Sequence, residues 1–441
     1  MSFPAYQEYK KSGVAWIESI PKHWTSIRLK NILKQKITDG PHSTPIFTSE
    51  GVPFLSVDGI QNGELIFESC RYISPADHAE FKRKALPQKN DLLMGKAAST
   101  GKIARVKVDF EFSIWSPLAL IRIDKNFSVP EFVEYALKSR MTQAEIDTFC
   151  TANTQKNISM DDIPRLSIFH PPLKEQKAIA LFLDHQTTKI ETLISEQEKL
   201  VGLLKEKRQS FISHAVTKGL NPEVKMKESG VDWLRNIPDH WKVSNGRKIF
   251  KIKKRIVGEL GYDVLSITQK GIRIKDIESN EGQLSMDYSK YQLVEVGDFA
   301  MNHMDLLTGY VDLSVYVGVT SPDYRVFSIQ NKDTCCPEYF LYLLQNGYSN
   351  KIFYPYGQGS SQLGRWRLPT EQFKEFCYPV PPIEEQKQIA LSISKEAKNI
   401  DALIHESNKV INLLQERRSA LISAAVTGQI DVRNYQLKEI A

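Results

Sequence analysis

Residues 12–24 read SGVAWIESIPKHW and residues 229–241 read SGVDWLRNIPDHW, identical at 8 of 13 positions without a gap, at an offset of 217. Gly13/Gly230, Trp16/Trp233, Pro21/Pro238 and Trp24/Trp241 are among the matches. A repeat at this distance organises the chain before local propensities are weighed, because each copy must be one structural unit. A second pair, PPLKEQKAIA from Pro171 and PPIEEQKQIA from Pro381, agrees at 7 of 10 positions at an offset of 210. The same offset lays LLKEKRQSFISHAVT (203–217) on LLQERRSALISAAVT (413–427), with 9 of 15 identical. The frame divides the chain into residues 1–24, 25–170, 171–241, 242–380 and 381–441. The variable segments 25–170 and 242–380 hold 146 and 139 residues and differ by the same seven residues as the two offsets, so all change of length lies inside them. Weaker echoes there, Phe54-Leu55-Ser56 against Val264-Leu265-Ser266, Asp91 against Asp298, and VPEFVEYAL (129–137) against CPEYFLYLL (336–344), predict a common fold.

From Leu173 to Val216 no proline occurs and helix formers dominate, so a long helix starts after Pro171-Pro172, with Gly219 as its stop. Leu183, Ile190, Leu204 and Phe211 at one seam position of a heptad put Ile194, Val201 and Ala215 at the other. That seam needs a partner helix. In the same register the second copy offers Ile393, Ile400, Leu414 and Leu421, with Ala390, Ala397, Ile404, Ile411 and Ala425. Gln197 and Ser407, and Arg208 and Arg418, are polar members at equivalent positions and can fix register at some cost in stability. A helix of about 40 residues is about 60 Å long, enough to act as a spacer. A hairpin that only packs a core or dimerises is the ordinary alternative for an isolated heptad stretch.

Both variable segments carry short β-branched and aromatic runs punctuated by Gly, Asn, Asp and Pro. GVPFLSVDGI, KIARVKV and SPLALIRI are strand candidates in the first, and YDVLSIT, GYVDLSVYVGV and YRVFSI in the second; PEFVEYALKSR and PEYFLYLLQN have helical spacing. The fold expected is α+β (mixed α/β), with two similar globular domains separated and closed by two long antiparallel coiled-coil helices in a pseudo-twofold circular arrangement. Residues 1–24 match the end of the central repeat, so residues near the two chain ends are expected to lie close together. The loops hold directional donors suited to base edges and phosphates. In the first segment the candidates are Asp39, Gly40, His42, Ser43 and Thr44, then Lys96, Thr100 and Lys102, then Asn153, Gln155, Lys156 and Asn157. In the second they are Gln269, Lys270 and Arg273, then Asn302 and His303, then Gln358, Ser360, Ser361, Gln362 and Arg365. Solvated turns use the same residues, and His42 and His303 are as readily structural.

A net charge of +6 mildly favours an anionic partner. Five cysteines, Cys70, Cys150, Cys335, Cys336 and Cys377, show no C-x-x-C spacing, which argues against a disulfide framework or a structural zinc site and for buried free thiols. No apolar run approaches the length of a bilayer span, and the expectation is a soluble cytoplasmic protein without a membrane partner. Gly95 to Lys102 fails as a phosphate-binding loop, with five residues between its glycines and Ile103 where Ser or Thr is required. His170-Pro171-Pro172-Leu173 lacks the amide or acid and the ring of an amino-methyltransferase motif and reads as a helix entrance. No motif commits the chain to catalysis, and it holds no metal or cofactor site by sequence.

The doubled Gly-Val-x-Trp-x-x-x-Ile-Pro-x-His-Trp at 13–24 and 230–241 and the doubled Pro-Pro-x-x-Glu-Gln-Lys at 171 and 381 resemble the specificity subunits of Type I restriction-modification systems. The resemblance covers nearly the whole chain. It implies that each variable segment is a target recognition domain reading half of a bipartite, asymmetric target in double-stranded DNA. It further implies that the helices set the unread gap and dock two modification subunits, with restriction subunits able to join. S-adenosylmethionine for DNA methylation, and ATP and Mg, would belong to those partners. A methyltransferase-nuclease, a coiled-coil adaptor and a solitary DNA-binding regulator are the competing classes.

Overall fold

The computed structural model describes residues 3–14, 17–150, 156–277, 287–359 and 366–435. It forms two compact units, Met1–Gln197 with Lys409–Ala441, and Glu198–Asn408. Each unit therefore gathers one variable segment and part of both long helices.

In the N-terminal unit a four-stranded antiparallel sheet runs in the order Ile103–Arg105, Leu92–Gly95, Leu118–Ile121, Thr38–Asp39. In the other unit the order is Val311–Leu313, Phe299–Met301, Arg325–Ile329, Phe250–Lys253, again antiparallel throughout. The turn entering the second strand is built alike in both. Asn90 and Gly297 take φ of 75° and 86°, the left-handed region that Asn and Gly tolerate. The buried carboxylates of Asp91 and Asp298 then accept the backbone N–H groups of Gln88 (2.8 Å) and Glu295 (3.1 Å). This turn is the physical content of the Asp91/Asp298 echo.

The strand candidate GYVDLSVYVGV divides into Val311–Leu313 and Gly318–Thr320, because Ser314 turns the chain with its hydroxyl on the Tyr316 backbone. The first helical stretch also stops early, at Lys138; Ser139 then caps a second helix, Arg140–Phe149, by accepting from Thr142 N–H. The equivalent helix in the other unit, Pro337–Ser349, is continuous.

The long helices span Leu173–Lys218 and Ile383–Val426, 46 and 44 residues, each about 65–70 Å at 1.5 Å per residue. Each starts after a Pro-Pro pair and stops near a glycine of positive φ, Gly219 and Gly428. At the seam positions Leu183, Ile190, Val201, Leu204, Ile393 and Ile400 are buried, and Ile194, Phe211, Ile404, Ile411, Leu414 and Leu421 are half-buried. Phe211 shares its turn with the more deeply buried Ile212. Within the N-terminal unit Arg418 pairs with Glu191 at 2.8 Å, and within the other Arg208 pairs with Asp401 at 3.3 Å. In the N-terminal unit Gln186 also meets Tyr435, at 2.9 Å, so residue numbers fall on one side as they rise on the other and the helical segments there run antiparallel.

The repeated motifs interlock within each unit. Glu175 accepts from the Trp24 indole at 3.0 Å, from Tyr6 O–H, and pairs with His23 at 2.8 Å. Glu385 accepts from Trp241 at 3.0 Å and pairs with His240 at 2.7 Å. Next to each, Gln176 Oε1 accepts from Ser128 and from Val129 N–H while its amide donates to Pro171 O. Gln386 accepts from Cys336 N–H and donates to Thr334 O and Pro381 O. The expected meeting of the chain's ends occurs inside the N-terminal unit. Asp431 N–H donates to Pro4 O at 2.7 Å, and Gly428 packs so close to Pro21 that a Cβ would fall 2.3 Å from its ring. Gly219 in the other unit lies beside Pro238 and Trp241 more loosely, with a Cβ 3.9 and 3.3 Å from them. All five cysteines are free, with Cys335 and Cys336 buried; Cys70, Cys150 and Cys377 are only half-buried, short of the full burial expected.

Candidate nucleic-acid interface

The loop after the second sheet strand and the segment that returns to the frame were separate candidates in sequence, and each unit joins them by backbone hydrogen bonds. Ile158 N–H donates to Lys96 O at 3.0 Å, and Leu368 N–H donates to His303 O at 2.9 Å. Thr100 adds a hydroxyl bond to Lys156 O at 2.5 Å, and Lys156 pairs with Asp147 at 3.0 Å. Lys102 and Asn157 are exposed beside them.

In the N-terminal unit the first loop closes on the same surface. Asp39 is buried and binds Lys96, Lys84 at 2.5 Å and His42 at 3.3 Å. Burial pushes its carboxyl up, but the hydrogen bonds from Lys84 and Lys96 outweigh this and hold it below the ordinary value of 3.8. Asp39 is thus a positioner of cations, whereas Ser43, Thr44 and His42 are exposed. A Cβ on Gly40 would fall 1.8 Å from Ile114 O, so only glycine permits this approach of the loop to the sheet. Sequence reading missed Lys84, whose signal, one lysine in a helix-to-strand connection, is indistinguishable from a solvated charge.

In the other unit Gln269 reaches Thr308 O at 3.5 Å, a marginal contact, and Lys270 and Arg273 are exposed on the hairpin Leu265–Ile274. Gln358 and Arg367 exchange backbone hydrogen bonds at 2.9 and 3.0 Å. Asn302 is held through its carbonyl by Tyr348 O–H at 2.8 Å. His303 lies mostly inside; burial, with Arg325 and Arg367 nearby, pushes its imidazole down to about 3, so it is neutral and presents no cation at pH 7. Asn153, Gln155, Ser360, Ser361, Gln362 and Arg365 lie outside the described residues.

Ser113, His78 and Glu111 form a chain of 2.8 and 2.9 Å contacts that has the order of a hydrolytic triad. The Ser113 hydroxyl is fully buried, so a substrate cannot reach it. Among the described residues no group of three or more His, Cys, Asp or Glu is placed to hold a metal ion, and no helix is long and apolar enough to cross a membrane.

Two units of one topology, each presenting joined polar loops from a variable segment on a repeated helical frame, define a duplicated recognition protein. The Type I restriction modification DNA specificity domain matches the chain twice, over residues 21–200 and 238–413, and the chain belongs to that family. A Methanocaldococcus jannaschii protein provisionally named as the MjaX type I restriction enzyme specificity subunit is 24% identical, covering 98% of this chain and 99% of its own. The Escherichia coli EcoBI specificity subunit is 23% identical over 73% of this chain and 72% of its own. A solved chain from a study of complex assembly and conformational transition in the type I R-M system superposes with a TM-score of 0.69 at 13% identity, over 93% of this chain and 99% of that one, which shows a shared fold.

Proposed function

We propose that this chain is the DNA-reading subunit of a type I restriction-modification enzyme, with each variable segment reading one half of a bipartite, asymmetric duplex target. The observation that carries the reading is the family domain matched twice, each copy on a unit whose candidate loops are joined by backbone hydrogen bonds. The loop residues of the two units differ, so the half-sites they read differ. The long helices set the unread gap and dock two modification subunits, and restriction subunits join that assembly. S-adenosylmethionine, ATP and Mg act on those partners, and this chain contributes no reacting group.

The test is selection from random duplex DNA by the chain co-purified with its modification subunits, with sequencing of the bound fraction. Two short dissimilar blocks at a fixed spacing are expected. A folded complex that enriches no sequence would refute the reading in favour of a coiled-coil adaptor, and recovery of the same target by the chain alone would favour a solitary regulator.

A further inference from the structure

Arg71 stands apart from the other basic side chains of the N-terminal unit. It opens Arg71–Ile73, an interior strand flanked by Val52–Leu55 and Phe47–Thr48, and is itself paired with Phe54 on one side, while Tyr72 and Ile73 are paired on both. Its guanidinium lies 4.7 Å from the centre of the Phe47 ring and 5.9 Å from that of Trp115. Among the described residues it has no ion pair and no side-chain hydrogen bond, although it is exposed. Aromatic faces hold a guanidinium without using its N–H donors. The planar fork is therefore oriented in advance with its donor edge unspent.

The strand-to-loop segment carrying Trp115 joins this residue to the surface already described. Ser116 N–H donates to Pro41 O at 3.2 Å, and Lys96 N–H donates to Pro117 O at 2.8 Å. The segment whose Trp115 ring lies beside Arg71 is thus bonded to the loops of His42 and Lys96. The cleft beside it, lined by Ser56, Asp58, Gln61, Ser69 and Trp115, measures about 100 Å³.

We infer that Arg71 reads a guanine in the half-site taken by the N-terminal unit, its fork on the O6 and N7 acceptors of that base, with Phe47 and Trp115 as positioning residues. This rests on the DNA-reading function proposed above. Guanine presents two acceptors at the spacing of the fork, and a rigid donor pair gains most from such a bidentate partner. Phosphate contacts fall to Lys84 and His42, whose exposed side chains Asp39 positions.

The test compares wild type, Arg71→Ala and Arg71→Lys, each co-purified with the modification subunits, by selection from random duplexes. Both substitutions are expected to lower the preference for guanine at one position roughly tenfold to a hundredfold, since Lys keeps the charge but not the fork. The other bases of that half-site and all of the second remain selected, which shows that the units are folded. Weakened binding equal on all sequences, with a shallower salt dependence, would make Arg71 a phosphate contact and overturn the inference, as would an unchanged target. A wild-type complex that selects no target would overturn the DNA-reading function itself, and the inference with it.

Discussion

Replacing Glu175 by Ala should loosen one unit only, and more than Glu385→Ala loosens the other. Glu175 serves two fully or nearly buried donors, the Trp24 indole and Tyr6 O–H, at 0% and 5% exposure, together with His23, which can turn to water. Glu385 serves one buried donor, the Trp241 indole, plus the half-exposed His240. Leaving a buried donor unpaired costs about 1–3 kcal/mol, so Glu175→Ala should cost about 2–6 kcal/mol and Glu385→Ala about 1–3. The Glu385 side chain is itself 27% exposed, so water enters its vacancy and keeps the loss near the lower bound. Hydrogen exchange read by mass spectrometry separates the units, because protected amides report the opening of their own cooperative region. Protected peptides of residues 25–150 should exchange at least about thirtyfold faster in Glu175→Ala, with those of 242–380 unchanged; Glu385→Ala should reverse the pattern with a smaller change. Glu175→Gln keeps an acceptor and should recover most of the protection. Equal losses from the two Ala variants, or a larger one from Glu385→Ala, would refute the reasoning.

The amide of Gln386 should matter as much in the C-terminal unit: Gln386→Leu leaves Cys336 N–H and two carbonyls without their partner and should cost about 2–4 kcal/mol in denaturant unfolding of that unit. His303 is held neutral, with its folded value near 3 against an ordinary 6.5. The unfolded chain therefore binds a proton first as pH falls, and stability intact above 6.5 is lost progressively down to about 3, a loss that should vanish in His303→Gln in melts across that range. Asp39 is depressed below 3.8, so its contribution is present above that pH and lost as pH falls through the lower folded value; Asp39→Asn should flatten the acid limb of the N-terminal unit's stability curve and weaken DNA binding by releasing Lys84 and Lys96.

The frame was legible because its physics is periodic or doubled. The alternate four- and three-residue spacing of Ile190, Ile194, Gln197, Val201 and Leu204 describes a helix with a partner, and the doubled motifs showed which helix that partner is. Their internal chemistry was not legible, since nothing in His-Trp at 23–24 says that a glutamate about 150 residues later accepts both side chains. The loops were legible only as places. Asp39 and His303 read as polar contacts but lie inward, one under two lysines and one among arginines, because burial depends on which strands flank a loop. Arg71 and Trp115 carried no sequence signal, as they lie 44 residues apart along the chain and are brought together only through the strand Val52–Leu55 that pairs on both sides.

The locks also explain how this chain can hold one frame and two dissimilar reading surfaces. Gln176 and Gln386 grip the variable segments through backbone groups, Val129 N–H in one case and Cys336 N–H with Thr334 O in the other. Backbone groups are present whatever the side chain, so the segment can drift in sequence without loosening its seat. Only Ser128 adds a side-chain contact, and its counterpart position carries Cys335, which makes none to Gln386 among the described contacts. The turns at Asp91 and Asp298 work in the same manner, a carboxylate on a main-chain N–H. Selection on what the loops touch and selection on what the frame holds therefore act on different atoms. It follows that a segment running from the residue after Trp24 to the residue before Pro171 should be exchangeable for one of different length, provided it contains a helix whose N-cap N–H can meet Gln176. A chimera carrying residues 242–380 in place of 25–170 should keep the helical frame and read the same half-site twice; loss of the fold in that chimera would mean that the side-chain packing against the helices, and not the backbone grip, specifies the pairing.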